Sequence, residues 1–322
     1  MKIARIKNGS GVVTAIVEGD AVRPLHDVSV LELLAAEPKE RERIAALARE
    51  QLALSDVRLL APIQPASIRD FSVFEQHSEG AVMAMGGPDA KVQEAWYDRP
   101  YFFFQSPHTI KAPGEPVSAP PGCKALDLEL EIAAVIGRRG ENVTGEAAAA
   151  CIAGYTIFND WSARDFGAAE ARMPFGFHKV KDFAGTLGPW IVTADELDRY
   201  RDGDRIDITL QAYVNDELLG EDTLANMAFS FEQMVEFCAR GSVVAPGDVI
   251  GSGTCGGGCL FEFWGRNQSF TDPAPLQAGD VVRLEVEGIG SLVTPIAEPM
   301  ADLPAPPAAT PGRHRHRAGI SA

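Results

Sequence analysis

Asp127, Glu129 and Glu131 alternate with Leu126, Leu128, Leu130 and Ile132, a spacing that puts three carboxylates on one face of a β-strand and four aliphatic side chains on the other. Same-face neighbours in a strand lie roughly 6.5–7 Å apart, so these acids repel one another unless they spread into water or share a cation. A solvated acidic face is the plain alternative. Other residues carry similar options. Asp70 precedes His77 by seven positions, a carboxylate and a base on one stretch, although a histidine among acids is often a surface residue. Asp160 stands where the apolar run 155–158 ends, and an acid at the mouth of a buried strand is presented rigidly to a cleft. An Asx turn or helix N-cap at Asn159 or Asp160 is the structural alternative. Lys181, taken alone, reads as a solvated lysine.

These groups need elements to hold them. Residues 2–25 alternate β-like runs with turn signals and read as a small β-meander. Helical spacing of Leu31, Leu34, Ile44, Leu47 and Leu52 follows, broken near Pro38, and the boundary to the main domain is placed near Pro65. The segment 83–88 reads as a mobile lid or plain surface loop, and the aromatic run 101–104 as buried. An alanine-rich helix is expected over 144–152, stopped by Gly154. Residues 206–214 form a strand with a turn at Asn215, Asp216 and Glu217, and Ser230 with Gln233 makes a capping box. That box opens a helix whose apolar side is Phe231, Met234, Val235 and Cys238, closed by Gly241. The glycine-rich stretch 251–262 lacks the Gly-Lys-Ser/Thr of a phosphate loop and shows no helical pattern, which argues against nucleotide binding. Cys255 and Cys259, four apart without a second pair, read as small buried residues rather than a zinc site.

Composition narrows the function classes. At 322 residues the chain can bury one large core with a smaller appendage. A formal charge of −16 leaves no basic stripe for nucleic acid. Five cysteines, an odd number without a C-x-x-C pair, point to a reducing compartment, and no leader or membrane-spanning run is evident, so a cytoplasmic protein is expected. From Pro299 the composition turns to Pro and Ala, and the tail 299–322, ending in alternating His and Arg, is expected to be disordered.

Taken together, Asp70-Phe71 with His77, the strand 126–131, Gly154-Tyr155, the block 159–165, Lys181-Asp182-Phe183 and Gly251-Ser252-Gly253-Thr254 occur in an order that resembles the fumarylacetoacetate hydrolase family. The resemblance covers roughly residues 66–298 and implies a mostly β, α+β catalytic domain, a mixed-sheet roll, in a homodimer, with residues 1–65 as a small N-terminal domain. It further implies that Glu129, Glu131 and Asp160, with Asp70 as a fourth acid, bind a metal. All-oxygen ligands select Mg²⁺, or Mn²⁺ or Ca²⁺, over zinc. His77 corresponds to the family's general base, Glu262 to the acid that orients it, and Lys181 to the cation that stabilises developing negative charge. Thr254, Arg164 and Phe175 are expected to touch the substrate.

The activity implied is hydrolysis of a carbon–carbon bond in a β-diketone or 2,4-dioxo acid by a His77-activated water. Decarboxylation of a 2-oxo acid such as oxaloacetate, a sugar-acid dehydratase or an isomerase are alternatives, and a non-enzymatic binding protein is the bland one. The fumarylacetoacetase pattern follows Ala-Arg-Asp with a glutamine and then a tyrosine that grip substrate. Here Gly167 and Ala171 hold those places, and Ser72 replaces a tyrosine near the base. Aromatic residues 102–104, Phe175 and Phe177 then suggest a pocket for a neutral, apolar acyl group.

Overall fold

The computed structural model describes residues 1–9, 11–172, 176–304 and 307. The substrate contact expected of Phe175 and the disorder expected of the tail from 305 onward, residue 307 aside, lie outside the described residues.

The Leu130–Ile136 strand is the centre of the molecule, and its sequence explains why. Ile132, Ala134 and Ile136 enter one hydrophobic cluster while Ala133 and Val135 enter another, as the continuous apolar run of a strand covered on both faces requires. It pairs antiparallel with Ile152–Asn159 on one side and Asp248–Gly251 on the other. Asp248–Gly251 runs parallel to Ser67–Phe71, which pairs with Phe102–Gln105 at the sheet's edge. Beyond Ile152–Asn159 come Gly185–Thr193 and then the strands Lys2–Asn8, Gly11–Glu18 and Ala21–Leu25. The meander expected at the N-terminus therefore extends the main sheet, through Lys2 opposite Val192 and Ile3 opposite Ile191. A second, antiparallel sheet of Glu217–Thr223, Thr209–Val214, Val281–Val286 and Gly290–Pro295 lies against the Ile132 side and shares its core through Leu210, Leu284 and Leu292. The result is the mixed-sheet α+β architecture expected.

The other, odd-numbered face has two halves. Over Ala133 and Val135 it is covered by Val30, Leu33 and Leu34 of the Val30–Ala35 helix, which Ser29 and Glu32 close with a capping box. At Glu129 and Glu131 it borders a cavity instead. The capping box at Ser230 and the buried side of Phe231–Ala239 are also as expected, as is the hairpin at Asn215 and Asp216, both with positive φ.

Several expectations fail for physical reasons. Helix 144–152 shrinks to Glu146–Ala149, and Gly154 is a mid-strand residue: a Cβ there would sit 2.4 Å from the Val192 carbonyl oxygen of the adjoining strand. Leu52 begins a short strand. Residues 83–86 are the last turn of the Glu75–Gly86 helix, not a loop. Tyr101 and Phe104 are 50% and 61% exposed, because their strand is the sheet's edge. The glycine-rich stretch does open a helix, Leu260–Asn267, whose signal was masked by the cysteines and glycines before it.

That helix crosses Glu75–Gly86 at a glycine contact. A Cβ on Gly265 would lie 1.9 Å from the Gly80 carbonyl oxygen, and one on Gly80 would lie 2.4 Å from Glu262 Cγ. Because the Glu75–Gly86 helix carries His77, Gly265→Ala is expected to destabilise the fold by about 1–3 kcal/mol and to lower turnover as well. An unchanged urea midpoint would contradict this packing.

A carboxylate cluster beside a buried histidine

Three strands of the main sheet deliver the acids. Asp70 lies in Ser67–Phe71, Glu131 in Leu130–Ile136, and Asp160 follows the end of Ile152–Asn159. Gly251 stands between Asp70 and Glu131 in the sheet, and its missing side chain is what lets them meet: a Cβ would fall 2.3 Å from Asp70 Oδ1 and 2.9 Å from Glu131 Oε2. One carboxylate oxygen from each of Asp70, Glu131 and Asp160 lies within 4.8 Å of the others. All three acids are buried, and so are Asp127 and Glu129, which overturns the solvated-face alternative for Asp127, Glu129 and Glu131. Trp161, also fully buried, fixes the strand end next to Asp160 by donating from Nε1 to Thr186 Oγ1 at 2.8 Å. Asn159 is neither a cap nor an Asx turn; its Oδ1 accepts from the Glu129 amide at 2.9 Å and bridges the break in the acidic strand.

Glu129 turns elsewhere. Its oxygens accept from Arg164 at 2.5 Å and from Lys181, so it is not grouped with the other three acids although the resemblance places it among the metal ligands. Lys181 is buried rather than solvated, with Nζ 2.7 Å from Asp160 Oδ2, and Gln105 donates to Asp160 Oδ1. Arg164 also pairs with Asp127, whose two oxygens accept the amides of Leu260 and Phe261 at 2.8 and 3.0 Å. Asp127 thus holds the N-terminus of the Leu260–Asn267 helix, a role its sequence neighbours do not announce. Opposing the burial that would raise it, Arg164 and then Lys181 hold the Glu129 carboxyl down to about 2. Burial pushes Asp70, Glu131 and Asp160 up; repulsion from Asp70, Asp160 and Glu129 adds to it at Glu131, and repulsion from Asp70 and Glu129 adds to it at Asp160, where Lys181 opposes it.

His77 faces the same cavity from the first turns of Glu75–Gly86. Burial holds its imidazolium down to about 4, against the pull of Glu129, so the ring is neutral at pH 7. Glu262, expected to orient it, instead accepts from Gly257 N at 2.7 Å, Gln76 Nε2 at 3.2 Å and Arg266 Nε at 3.1 Å. The ring meets Cys259, Nδ1 lying 3.5 Å from Sγ. Cys259 did not stand out in the sequence as a site residue, and Asp127 stood out only as one acid of the alternating face, since their partners lie far along the chain.

The cavity has a volume of about 650 Å³. Asp70, Glu129, Glu131, Lys181, Arg164, His77 and Thr254 are among its lining residues. Met85, Trp96, Phe103, Phe177, Phe261 and Phe270 line it as well, with Gly167, Ala171 and Ser72 at the positions that lack polar grips. Phe102 and Phe104 of the aromatic run are not among the lining residues.

The cluster fits a hard divalent cation. Asp70 Oδ1 and Glu131 Oε1 are buried without a hydrogen-bond partner among the described residues, and Asp160 Oδ2 has only the Lys181 ammonium beside it, outside hydrogen-bond geometry. Oxygen-only donors of this kind select Mg²⁺, Mn²⁺ or Ca²⁺. Calorimetry with Mn²⁺ is expected to show no binding to Glu131→Ala and at least about tenfold weaker binding, about 1.4 kcal/mol, to Asp70→Asn. Glu129→Gln, which alters an acid already held by two cations, is expected to lose less; equal or greater loss there would contradict the grouping.

Comparison with known proteins places the chain. A family model described as "Fumarylacetoacetate (FAA) hydrolase C-terminal" matches residues 68–297, and one described as "Rv2993c-like, N-terminal" matches residues 1–62. The chain is 29% identical over 297 residues to Protein Rv2993c of Mycobacterium tuberculosis, covering 92% of this chain and 98% of that one. It is 30% identical over 197 residues to a Xenopus laevis protein named oxaloacetate tautomerase fahd2, mitochondrial, covering 61% of this chain and 58% of the relative. Among solved structures, 5-carboxymethyl-2-hydroxymuconate delta-isomerase from Mycobacterium smegmatis aligns with a TM-score of 0.67 at 27% identity, covering 92% of this chain and all of that one. No helix among the described residues is long and apolar enough to cross a membrane. With the matched region taking in the whole of the carboxylate cluster and its histidine, the chain belongs to the fumarylacetoacetate hydrolase family.

Proposed function

We propose that this enzyme moves a proton on a 2-oxo acid or related 1,3-dicarbonyl compound, interconverting keto and enol forms or shifting a double bond, with a divalent cation required. The observation that carries the reading is His77: a neutral, buried imidazole on the cavity wall, with no carboxylate bonded to its ring among the described residues. Enolisation needs one base of that kind. The relatives named for tautomerase and isomerase activity point the same way.

Mg²⁺, or Mn²⁺ or Ca²⁺, held by Asp70, Glu131 and Asp160 would supply Lewis-acid polarisation of the substrate's oxygens. The chain's own residues do the rest. With Nδ1 facing Cys259, His77 Nε2 takes the proton from the carbon between the carbonyls and returns it at the other end of the enol system. The Lys181 ammonium, fixed by Glu129 and Asp160, offers positive charge to the oxygen on which negative charge develops. The apolar wall excludes water and so limits hydrolysis of the enolate's precursors.

Carbon–carbon hydrolysis, the leading expectation from sequence, stays as the second reading. One observation favours it: a cavity of about 650 Å³ with many apolar lining residues has room for an acyl leaving group beyond a four-carbon acid. His77 would then take its proton from water rather than carbon. Oxaloacetate-type decarboxylation would use the same charged residues with no attacking water.

Two measurements separate these. In D₂O, proton NMR of a 2,4-dioxo acid with an alkyl tail is expected to show carbon-bound hydrogen exchange outpacing chain cleavage, and His77→Gln is expected to slow exchange by roughly 10²–10⁴. Cleavage without prior exchange would favour the hydrolase. Because burial depresses the His77 pKa, the base stays unprotonated as pH falls through 6.5, so the acid limb of kcat/KM is expected near pH 4; a limb at 6–7 would contradict the assignment.

Substrate preference provides a second test. Arg164 and Lys181, the cations lining the cavity among its described residues, are already paired with acids. An alkyl or aryl tail is therefore expected to exceed a carboxylate tail in kcat/KM. A tenfold win for the carboxylate, about 1.4 kcal/mol, would reveal a cationic group in the far wall.

A further inference from the structure

Trp96, in the short helix Ala95–Asp98, is the largest side chain among the described residues that line the cavity, and three contacts fix it. Its Nε1 donates to the Ser72 carbonyl oxygen at 2.8 Å, and Ser72 lies between the strand of Asp70 and the helix of His77. Tyr97, the next residue, donates from its hydroxyl to Glu75 Oε1 in the first turn of that helix, and its ring meets the indole edge-on with centroids 4.9 Å apart. Phe229 packs on the indole at 6.4 Å. The amide of its neighbour Ala228 donates to the Val73 carbonyl at 2.7 Å, so Phe229 is tied to the same turn. The indole is thereby held to the backbone that joins Asp70 to His77.

Indole has one hydrogen-bond donor and no acceptor, and the Ser72 carbonyl takes that donor. What Trp96 presents to the cavity is therefore apolar surface alone. The oxygens of a 2-oxo acid find partners at Lys181 and at a cation held by Asp70, Glu131 and Asp160, so a wall without hydrogen bonds meets the apolar part of the molecule. Other lining residues are less suited to set a limit there. Phe103 and Phe261 lie over the Lys181 and Arg164 cations, Phe177 and Phe270 are exposed, and Met85 is flexible enough to re-pack. We propose that Trp96 is the specificity-determining residue for the substrate's tail, a fixed stop on its length and bulk. The inference rests on the reading of the substrate as a 2-oxo acid or 1,3-dicarbonyl compound. An apolar pocket separates tails that differ by one methylene by roughly 10–200-fold, so a fixed stop shows as a break in affinity along a chain-length series.

The test measures binding rather than turnover. N-alkyl oxamates, from methyl to octyl, carry the carboxylate and adjacent carbonyl of a 2-oxo acid but no C–H beside that carbonyl, so they cannot enolise. Calorimetry on the full chain with Mg²⁺ is expected to show affinity rising with tail length and then falling by about tenfold or more at one added methylene. Trp96→Ala is expected to move that break to longer tails while the methyl compound keeps its Kd within about twofold. Trp96→Phe, smaller and without the donor to Ser72, is expected to move it the same way by fewer carbons, and it carries the test if Trp96→Ala does not fold. A series with no break, or a break at the same tail in the unmutated protein and the folded variant, would overturn the inference and leave the proposed reaction standing. Failure of every oxamate to bind the unmutated protein would overturn both.

Discussion

Five buried carboxylates, Asp70, Asp127, Glu129, Glu131 and Asp160, share two buried cations, Arg164 and Lys181. Removing an acid from water is costly unless it is paired or neutralised, so this imbalance governs the rest of the site. Arg164 is shared by Asp127 and Glu129, and Lys181 by Glu129 and Asp160. Asp70 and Glu131 form no ion pair among the described residues; burial drives both carboxyls upward, and at Glu131 repulsion from Asp70, Asp160 and Glu129 adds to it. A divalent cation at that point would resolve the imbalance, so the conflict that burdens folding is what fits the cluster to a metal.

The sheet makes the conflict possible. The strands on either side of Asp248–Gly251 bring Asp70 and Glu131 together across Gly251, and the strand end anchored by Trp161 adds Asp160 from the side. The odd face of the central strand changes from acidic to aliphatic along its length, and the N-terminal helices cover only the aliphatic part. Asp127 then ties the Leu260–Asn267 helix to the same strand, and that helix meets the one bearing His77 through Gly80 and Gly265. His77, the Arg164–Asp127 pair and the carboxylates are therefore set by one packed assembly rather than by separate loops.

Much of this was legible in the chain. The two-residue alternation marked the acidic stretch by local spacing, although the structure breaks it into two strands at Leu128 and Glu129, and the resemblance carried by the ordered blocks named Asp70, His77, Asp160 and Lys181, which the structure brings together. What escaped depended on contacts between distant positions. Nothing near Glu262 announces that it turns to Gly257 and Gln76, and nothing near Cys259 announces His77. Gly154 reads as a helix stop when its real constraint is the neighbouring strand's carbonyl. The aromatic run at 101–104 looks like core, yet whether a strand is central or at an edge is decided by pairing partners far along the sequence.

The central claim is that Asp70, Glu131 and Asp160 are completed by a hard cation. Anomalous scattering from a crystal soaked in Mn²⁺ tests it most directly. The expected result is a peak bonded to one oxygen of each of these acids at roughly the short distances of oxygen-ligated divalent ions. A well-ordered cluster with no peak between the three acids, or manganese held instead by His77 and Cys259, would contradict it.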